Sequence, residues 1–274
     1  MNGGCDVLFY ALGGGRGHVT RALAVATRLR RRGSRCRILS SNPHFQPPCP
    51  DGVSIQAAPE EARRSPVGLG AWISCTIRRE RPRLMIVDTF PSGIRDELCG
   101  LHELKNLPRL CLLRHVRPDV IARRDYVAAL NRDYRGVVLC EDSPTLSALA
   151  QETSGPEIVT VPPILIRGAA ELPGPERARQ LIGCGPSERI VLFVATGARR
   201  DVGLLRQALM PFATSMARQS GWRAVVAGIP PGRRVLACTH WPLMDVLSAV
   251  SVVVGPAGYN LYHEVRAQRV PPIW

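Results

Sequence analysis

Short apolar runs alternate with segments of helical periodicity along most of the chain. The runs at 6–12, 36–40, 53–57, 84–88, 109–115 and 137–141 predict strands, because each is brief and bounded by polar or turn-forming residues. After the first run, residues 19–32 place Val19, Ala22, Leu23, Ala26 and Leu29 at the spacing of one helix face. Residues 92–104 and 118–132 predict two further helices. Strands that are apolar nearly throughout, alternating with helices, predict a parallel sheet covered on both faces.

The pattern breaks at "VPPILIRGAAELPGPERA", residues 161–178, which is rich in proline and glycine. A second series then begins. Residues 190–195 predict a strand, and 202–217 a helix with Leu205, Ala208, Leu209, Phe212 and Met216 aligned. Short strands are predicted at 224–227 and 235–238. Pro242 suits the first turn of a helix carrying Leu243, Val246, Leu247 and Val250. A strand at 251–255 and a helix at 259–268 complete the series. The expected architecture is α/β, with two Rossmann-like domains at 1–165 and 166–274. They join through a proline-rich hinge, and the cleft between them is the default site.

Composition narrows this picture. Apolar residues make up 45% and charged residues 21% of the 274, an ordinary globular balance. No run approaches the roughly 20 apolar residues of a membrane span. The first residues carry no basic leader, so a cytoplasmic location is expected. The nine cysteines are scattered, most of them within apolar runs, and no C-x-x-C pair occurs. Buried thiols are expected rather than zinc sites or disulfides.

The formal charge is +14, and Lys105 is the only lysine. Arg28, Arg30, Arg31, Arg32, Arg35 and Arg37 gather at the end of the first predicted helix. Such a cluster suits a solvated helix terminus that complements the dipole. It also suits attraction to an anionic membrane surface, which would make the protein peripheral to the inner face of a membrane. Nucleic acid is disfavoured, because no aromatic residue interleaves the arginines.

Candidate chemistry begins where the first strand leaves through "GGGRGHVTRA", residues 13–22. A dinucleotide fingerprint needs a third glycine where His18 stands, and an acid at the end of the second strand, where Ser40-Ser41-Asn42 occurs. A Walker loop needs Lys-Ser/Thr where His18-Val19 stands. What remains is a glycine corner that ends in an imidazole at a helix N-terminus. In the second half, "VVVGPAGYNLYHEVRAQRVPPI", residues 252–273, places a glycine loop between a strand and a helix. Gly258 would let a phosphate approach the N–H groups of residues 259–261. Glu264 lies one turn after Asn260, where a carboxylate could accept the hydroxyls of a ribose.

Together these segments resemble the GT-B glycosyltransferases, and among them the MurG-like branch (glycosyltransferase family 28). "GGGRGHVTRALAVATRL" is similar to that family's N-terminal motif and "VVVGPAGYNLYHEVRAQRVPPI" to its donor motif. "RIVLFVATGARRDVGLLRQALMP", 189–211, resembles the opening of its C-terminal domain, and "VPPILIR" its hinge. The order of these segments spans the whole chain.

The resemblance implies roles for single residues. His18 matches the family histidine near the acceptor hydroxyl, and Gly14, Gly15 and Gly17 match its glycine loop, with Arg16 where a smaller residue is common. Thr196 and Gly197 match the loop facing the diphosphate, and Arg167 a hinge arginine that reaches it. Gly258, Tyr259 and Asn260 match the phosphate-side helix start, and Glu264 the ribose-binding acid. No D-x-D occurs, which agrees with a mechanism free of metal and of any cofactor.

The resemblance therefore implies an inverting transferase. It would move a hexose or N-acetylhexosamine from a UDP-sugar to a hydroxyl acceptor, lipid-linked or soluble. An inactive GT-B remnant that binds nucleotide or a partner, and a nucleotide-sugar 2-epimerase, are the alternatives. Relatives continue beyond the position matching Trp274 through a donor-sugar loop and a last helix. The second domain is therefore expected to be incomplete.

Overall fold

The computed structural model describes residues 4–13, 15–195, 199–228 and 230–274, with the backbone alone at 199–201. Two compact units divide between Ile164 and Leu165. The first runs β1 (Val7–Tyr10), α1 (Gly17–Arg30), β2 (Cys36–Ser40), β3 (Val53–Ala57), α2 (Glu60–Arg63), α3 (Pro66–Glu80), β4 (Leu84–Asp88) and β5 (Arg109–Leu113). It continues with α4 (Pro118–Arg123), α5 (Tyr126–Asp133), β6 (Gly136–Leu139), α6 (Pro144–Glu152) and β7 (Glu157–Thr160). The strands form one sheet in the order β3-β2-β1-β4-β5-β6-β7, parallel throughout.

From β1 the chain builds outward to β3, then returns and builds the other way from β4. Tyr10 stands opposite Val87 where β1 meets β4. That boundary is the topological switch point. The loops leaving the carboxyl ends of β1 and β4 therefore diverge and open a crevice, the usual ligand position in an open α/β sheet. Leu8, Tyr10, Met85, Val87, Cys111 and Leu113 pack under Leu69 and Ile73 of α3, Leu130 of α5 and Leu146 of α6. Helix α1 buries Val19, Ala22, Leu23 and Ala26, as its periodicity predicts, and leaves Leu29 half-buried.

The second unit runs α7 (Pro175–Ile182), β8 (Arg189–Val194), α8 (Arg199–Met216), β9 (Trp222–Ala227), β10 (Leu236–Cys238), β11 (Val252–Val254), α9 (Tyr259–Ala267) and β12 (Pro272–Ile273). Its sheet has the order β10-β9-β8-β11-β12, again parallel. The switch point lies between β8 and β11, where Phe193 stands opposite Val254.

Several expected elements differ. The stretch 92–104 is a loop ending in a single 3-10 turn at His102–Leu104, because Gly93, Asp96 and Gly100 all adopt positive φ. The helix expected over 118–132 is two helices. Asp125, at φ 42°, breaks the first, and its side chain caps the second by accepting from the Ala128 N–H. After Pro242 the chain makes two 3-10 turns, Leu243–Asp245 and Leu247–Ala249, in place of a helix. Helix α7 forms within the proline-rich stretch, with Pro175 in its first turn, where no N–H is needed. Phe212, expected on the packed face of α8, is 66% exposed, and Ala213 is buried instead. No helix among the described residues is long and apolar enough to cross a membrane.

Gly255 ends β11 where the chain turns toward α9. A Cβ there would lie 2.7 Å from the Val194 carbonyl oxygen, so the two strands approach more closely than any side chain permits. Gly255→Ala should lower stability by about 1–3 kcal/mol, read as a lower urea midpoint. An unchanged midpoint would mean that the strand ends can separate without cost.

Candidate active site

The corner after β1 is braced from β2. Ser41 Oγ donates to the Gly13 carbonyl at 2.6 Å, and the Gly13 N–H lies 3.2 Å from the same Oγ. Gly13 does not need a positive φ. It needs the absence of a side chain, because a Cβ would lie 2.3 Å from His18 Cδ2 and 2.4 Å from Nε2. The imidazole thus rests on the Gly13 backbone. Gly15 and Gly17 lie on the way into α1, and Gly14 falls outside the described residues. Arg16 is exposed, with its guanidinium 5.2 Å over the Phe45 ring.

Asp88, the last residue of β4, meets this corner across the switch point. Its Oδ2 lies 2.5 Å from His18 Nδ1. Arg21, one turn further along α1, donates from Nε to Oδ1 at 2.8 Å and from Nη2 to Oδ2 at 2.7 Å. All three side chains are buried. Burial alone would raise the Asp88 pKa. The charge of Arg21 and the hydrogen bonds from Arg21 and His18 overcome it and hold the carboxyl well below the usual range. An ionised Asp88 can only accept, so His18 donates from Nδ1, and the neutral ring carries its lone pair on Nε2. No described residue hydrogen-bonds Nε2.

The loop after β4 encloses the pair. Thr89 turns at φ 73° and Phe90 lies 5.6 Å from the His18 ring. Tyr10 from β1 tethers this loop: its hydroxyl donates to buried Glu97 and accepts from the Ile94 N–H at 2.8 Å. Glu97 also accepts from the Arg95 N–H at 2.7 Å.

In the second unit Gly258 precedes α9 as its N-cap, and a glycine there offers no side chain to cap the first turn. Tyr259 meets His263 edge-on at 4.4 Å, and Asn260 is half-buried beside it. Glu264 is only 7% exposed, and its carboxylate has no hydrogen-bond partner among the described residues. Burial, then the negative charge of Asp245, pushes its pKa up to about 7. A buried acceptor without a donor is costly and marks a place where a ligand's donors would be gained.

Arg167 is bound to Asp245 through two bonds, Nε to Oδ1 at 2.8 Å and Nη2 to Oδ2 at 2.9 Å, and His240 Nε2 lies 3.1 Å from the same carboxylate. The fork that was expected to face a diphosphate is therefore largely engaged within its own unit. Thr196 and Gly197 fall outside the described residues.

The arginine cluster lies at the other end of α1. Fourteen residues of helix separate that end from the corner by about 20 Å. Arg30 donates to the Asp51 carbonyl and Arg37 pairs with Glu80. Arg28, Arg31, Arg32 and Arg35 are exposed, Arg28 donating to the Ala24 carbonyl and Arg35 lying 3.9 Å from Asp6.

No protein-family profile matches the chain, and no curated relative does. Solved structures do match. TcCGT1 in complex with UDP superposes with a TM-score of 0.62 at 15% identity, over 98% of this chain and 80% of that one. Glycosyltransferase SsfS6 of Streptomyces sp. SF2575, complexed with thymidine diphosphate, gives 0.55 at 17% identity, over 98% and 81%. The fold resembles that of the GT-B glycosyltransferases. A putative UDP-N-acetylglucosamine 2-epimerase from Listeria monocytogenes also matches, at 0.63 and 10% identity, over 99% and 79%. The fold alone therefore admits more than one chemistry.

Within this GT-B-like frame the sequence pointed to His18 and Glu264 but missed Asp88, Arg21 and Asp245. A signal for Asp88 was present, since an acid ends the strand predicted at 84–88. Its pairing with a histidine 70 residues away required knowing that β4 lies beside β1.

The raised Glu264 pKa carries a stability prediction. Protonated Glu264 is tolerated, so its contribution is full below the ordinary glutamate value of 4.5 and is lost as pH rises through about 7. Glu264→Gln cannot ionise. Relative to the parent, the variant should gain on the order of 3 kcal/mol between pH 4.5 and pH 8, measured by urea unfolding at both. A difference independent of pH would show that the carboxylate ionises freely.

Proposed function

We propose that this chain transfers a sugar from a nucleoside diphosphate, UDP in the first instance, to a hydroxyl acceptor, inverting the anomeric carbon. The observation that carries the reading is the His18–Asp88 pair at the switch point of the first sheet, with Nε2 left to a substrate. His18 Nε2 takes the acceptor proton as the acceptor oxygen attacks the anomeric carbon. The bond from that carbon to the diphosphate oxygen breaks, and its electron pair leaves with the diphosphate. Asp88 stabilises the imidazolium formed.

The second unit holds the donor. Glu264 accepts the ribose hydroxyls. The N–H groups at Tyr259 and Asn260, reached past Gly258, meet the phosphates together with Thr196, Gly197 and the remaining N–H groups of Arg167. Gly14, Gly15 and Gly17 give the reacting sugar close access to the first corner. The sequence contains no D-x-D to hold a cation, so the leaving charge falls to helix N-terminus and arginine. The Listeria likeness supports a second reading, a 2-epimerase, which would form product with no acceptor present.

Calorimetric titration with UDP tests the donor half. Glu264→Ala should weaken binding by about 1–3 kcal/mol, and equal affinity would remove Glu264 from the site. With a UDP-sugar and an acceptor, His18→Ala should lose about 10²–10⁴-fold in turnover while UDP affinity persists. Full activity in that variant would reduce His18 to a packing residue.

The arginine face of α1 carries a separate proposal, peripheral attachment to anionic membrane, at a distance from His18. Each exposed cation contributes on the order of 1 kcal/mol near such a surface. Parent protein should sediment with acidic vesicles at low salt, be released at high salt and ignore neutral vesicles. Replacing Arg28, Arg31, Arg32 and Arg35 by Gln should abolish sedimentation. Parent protein remaining in the supernatant with acidic vesicles would leave the cluster a solvated helix end.

A further inference from the structure

We infer that Arg21 is a positioning residue that sets the direction of the His18–Asp88 hydrogen bond, and with it which imidazole nitrogen carries the proton. The inference rests on the reading of His18 as the base. Asp88 sits at the end of β4 with 1% of its surface exposed. A carboxyl so placed with only a neutral imidazole beside it would favour its protonated form. It would then donate to Nδ1, and the single proton of the neutral ring would move to Nε2. An Nε2–H ring offers the substrate a donor in place of a lone pair, and the base is disabled with every heavy atom in place.

Arg21 prevents this. Its guanidinium engages both oxygens of Asp88, at 2.8 and 2.7 Å. Oδ2, the atom nearest His18, thus already accepts from Arg21, and a proton placed on it would sit beside the guanidinium charge. The fork also fixes the plane of the carboxylate, so Oδ2 remains opposite Nδ1. Thr89 Oγ1, 3.4 Å from Arg21 Nη2, lies beside the fork at the start of the following loop.

After burial, the charge of Arg21 is the largest influence on Asp88, and it lowers the pKa; that of His18 follows when the ring is protonated. The titratable groups that face it from β5 and the end of β6 are the thiols of Cys111 and Cys140. Burial pushes Cys111 well up and Cys140 to about 12, so both are neutral. Arg114 and Glu141 also act on Cys140, with opposite signs. With a neutral imidazole at His18, Arg21 is the leading cation that holds Asp88 ionised.

The test is the tautomer of His18, read from the ¹⁵N resonances of histidine-labelled full-length protein and assigned with a His18→Gln variant. Wild type should show the Nδ1–H form at neutral pH. Arg21→Met should convert it to Nε2–H, and Arg21→Lys, which keeps the charge, should retain Nδ1–H. Asp88→Asn reaches the same switch by another route. The single carbonyl oxygen goes to Arg21, the amide NH₂ faces Nδ1, and Nε2–H should appear. A role confined to packing would move none of these signals.

In turnover with a UDP-sugar, Arg21→Met should lower kcat with the donor KM unchanged. An Nε2–H ring in wild type, or an Nδ1–H ring in folded Arg21→Met, overturns the inference. Where Arg21→Met does not fold, an Nδ1–H ring in Asp88→Asn overturns it. Tautomers that follow this pattern in a protein without transferase activity would sustain the inference and defeat the proposed function.

Discussion

A buried carboxylate cannot stay ionised unaided, and the first unit is organised around meeting that constraint at Asp88. Removing one partner from such a buried pair costs about 3–5 kcal/mol, so the arrangement is strongly enforced once formed. The parallel register that sets β1 beside β4 brings Asp88 to the corner. The bare backbone of Gly13 gives His18 room to reach it, and Ser41 holds that backbone in place. Phe90, tethered through Tyr10 and Glu97, closes over the ring. Each of these contacts has a structural purpose, and together they leave one imidazole nitrogen without a partner among the described residues.

The second unit presents the opposite case. Glu264 is nearly as buried as Asp88 yet pairs with no cation among the described residues, and neighbouring Asp245 is itself occupied by Arg167 and His240. One acid is held ionised and the other is pushed toward neutrality. Environments that drive two carboxyls apart in this way are a mark of functional sites. For Asp88 the compensating groups are built into the fold. For Glu264 the compensation proposed above is a pair of ligand hydroxyls, one turn along α9 from its glycine N-cap.

Much of the frame was legible because local rules and tertiary context agree there. The strands of the first sheet through β6 and the buried face of α1 follow from apolar periodicity alone. The loop at 92–104 misled because Asp96 at positive φ leaves no trace in composition. Helix α7 hid among prolines whose position in a first turn makes them favourable. At the site, His18 and Glu264 could be picked out by their place after strand and glycine. The burial of Glu264, the pairing of Arg167 with Asp245 and the engagement of Asp88 by His18 and Arg21 could not. Those contacts join residues far apart in sequence, and only the strand order makes them neighbours.

The proposed function rests on an ionised Asp88 making His18 a base toward the hydroxyl acceptor. The most direct measurement is the rate of UDP release from a UDP-sugar, with and without a hydroxyl acceptor, in wild type and in Asp88→Asn. Release should require acceptor and fall by about 10²–10⁴-fold in Asp88→Asn, with UDP affinity preserved. Release that ignores the acceptor, or that proceeds equally fast in Asp88→Asn, would contradict it.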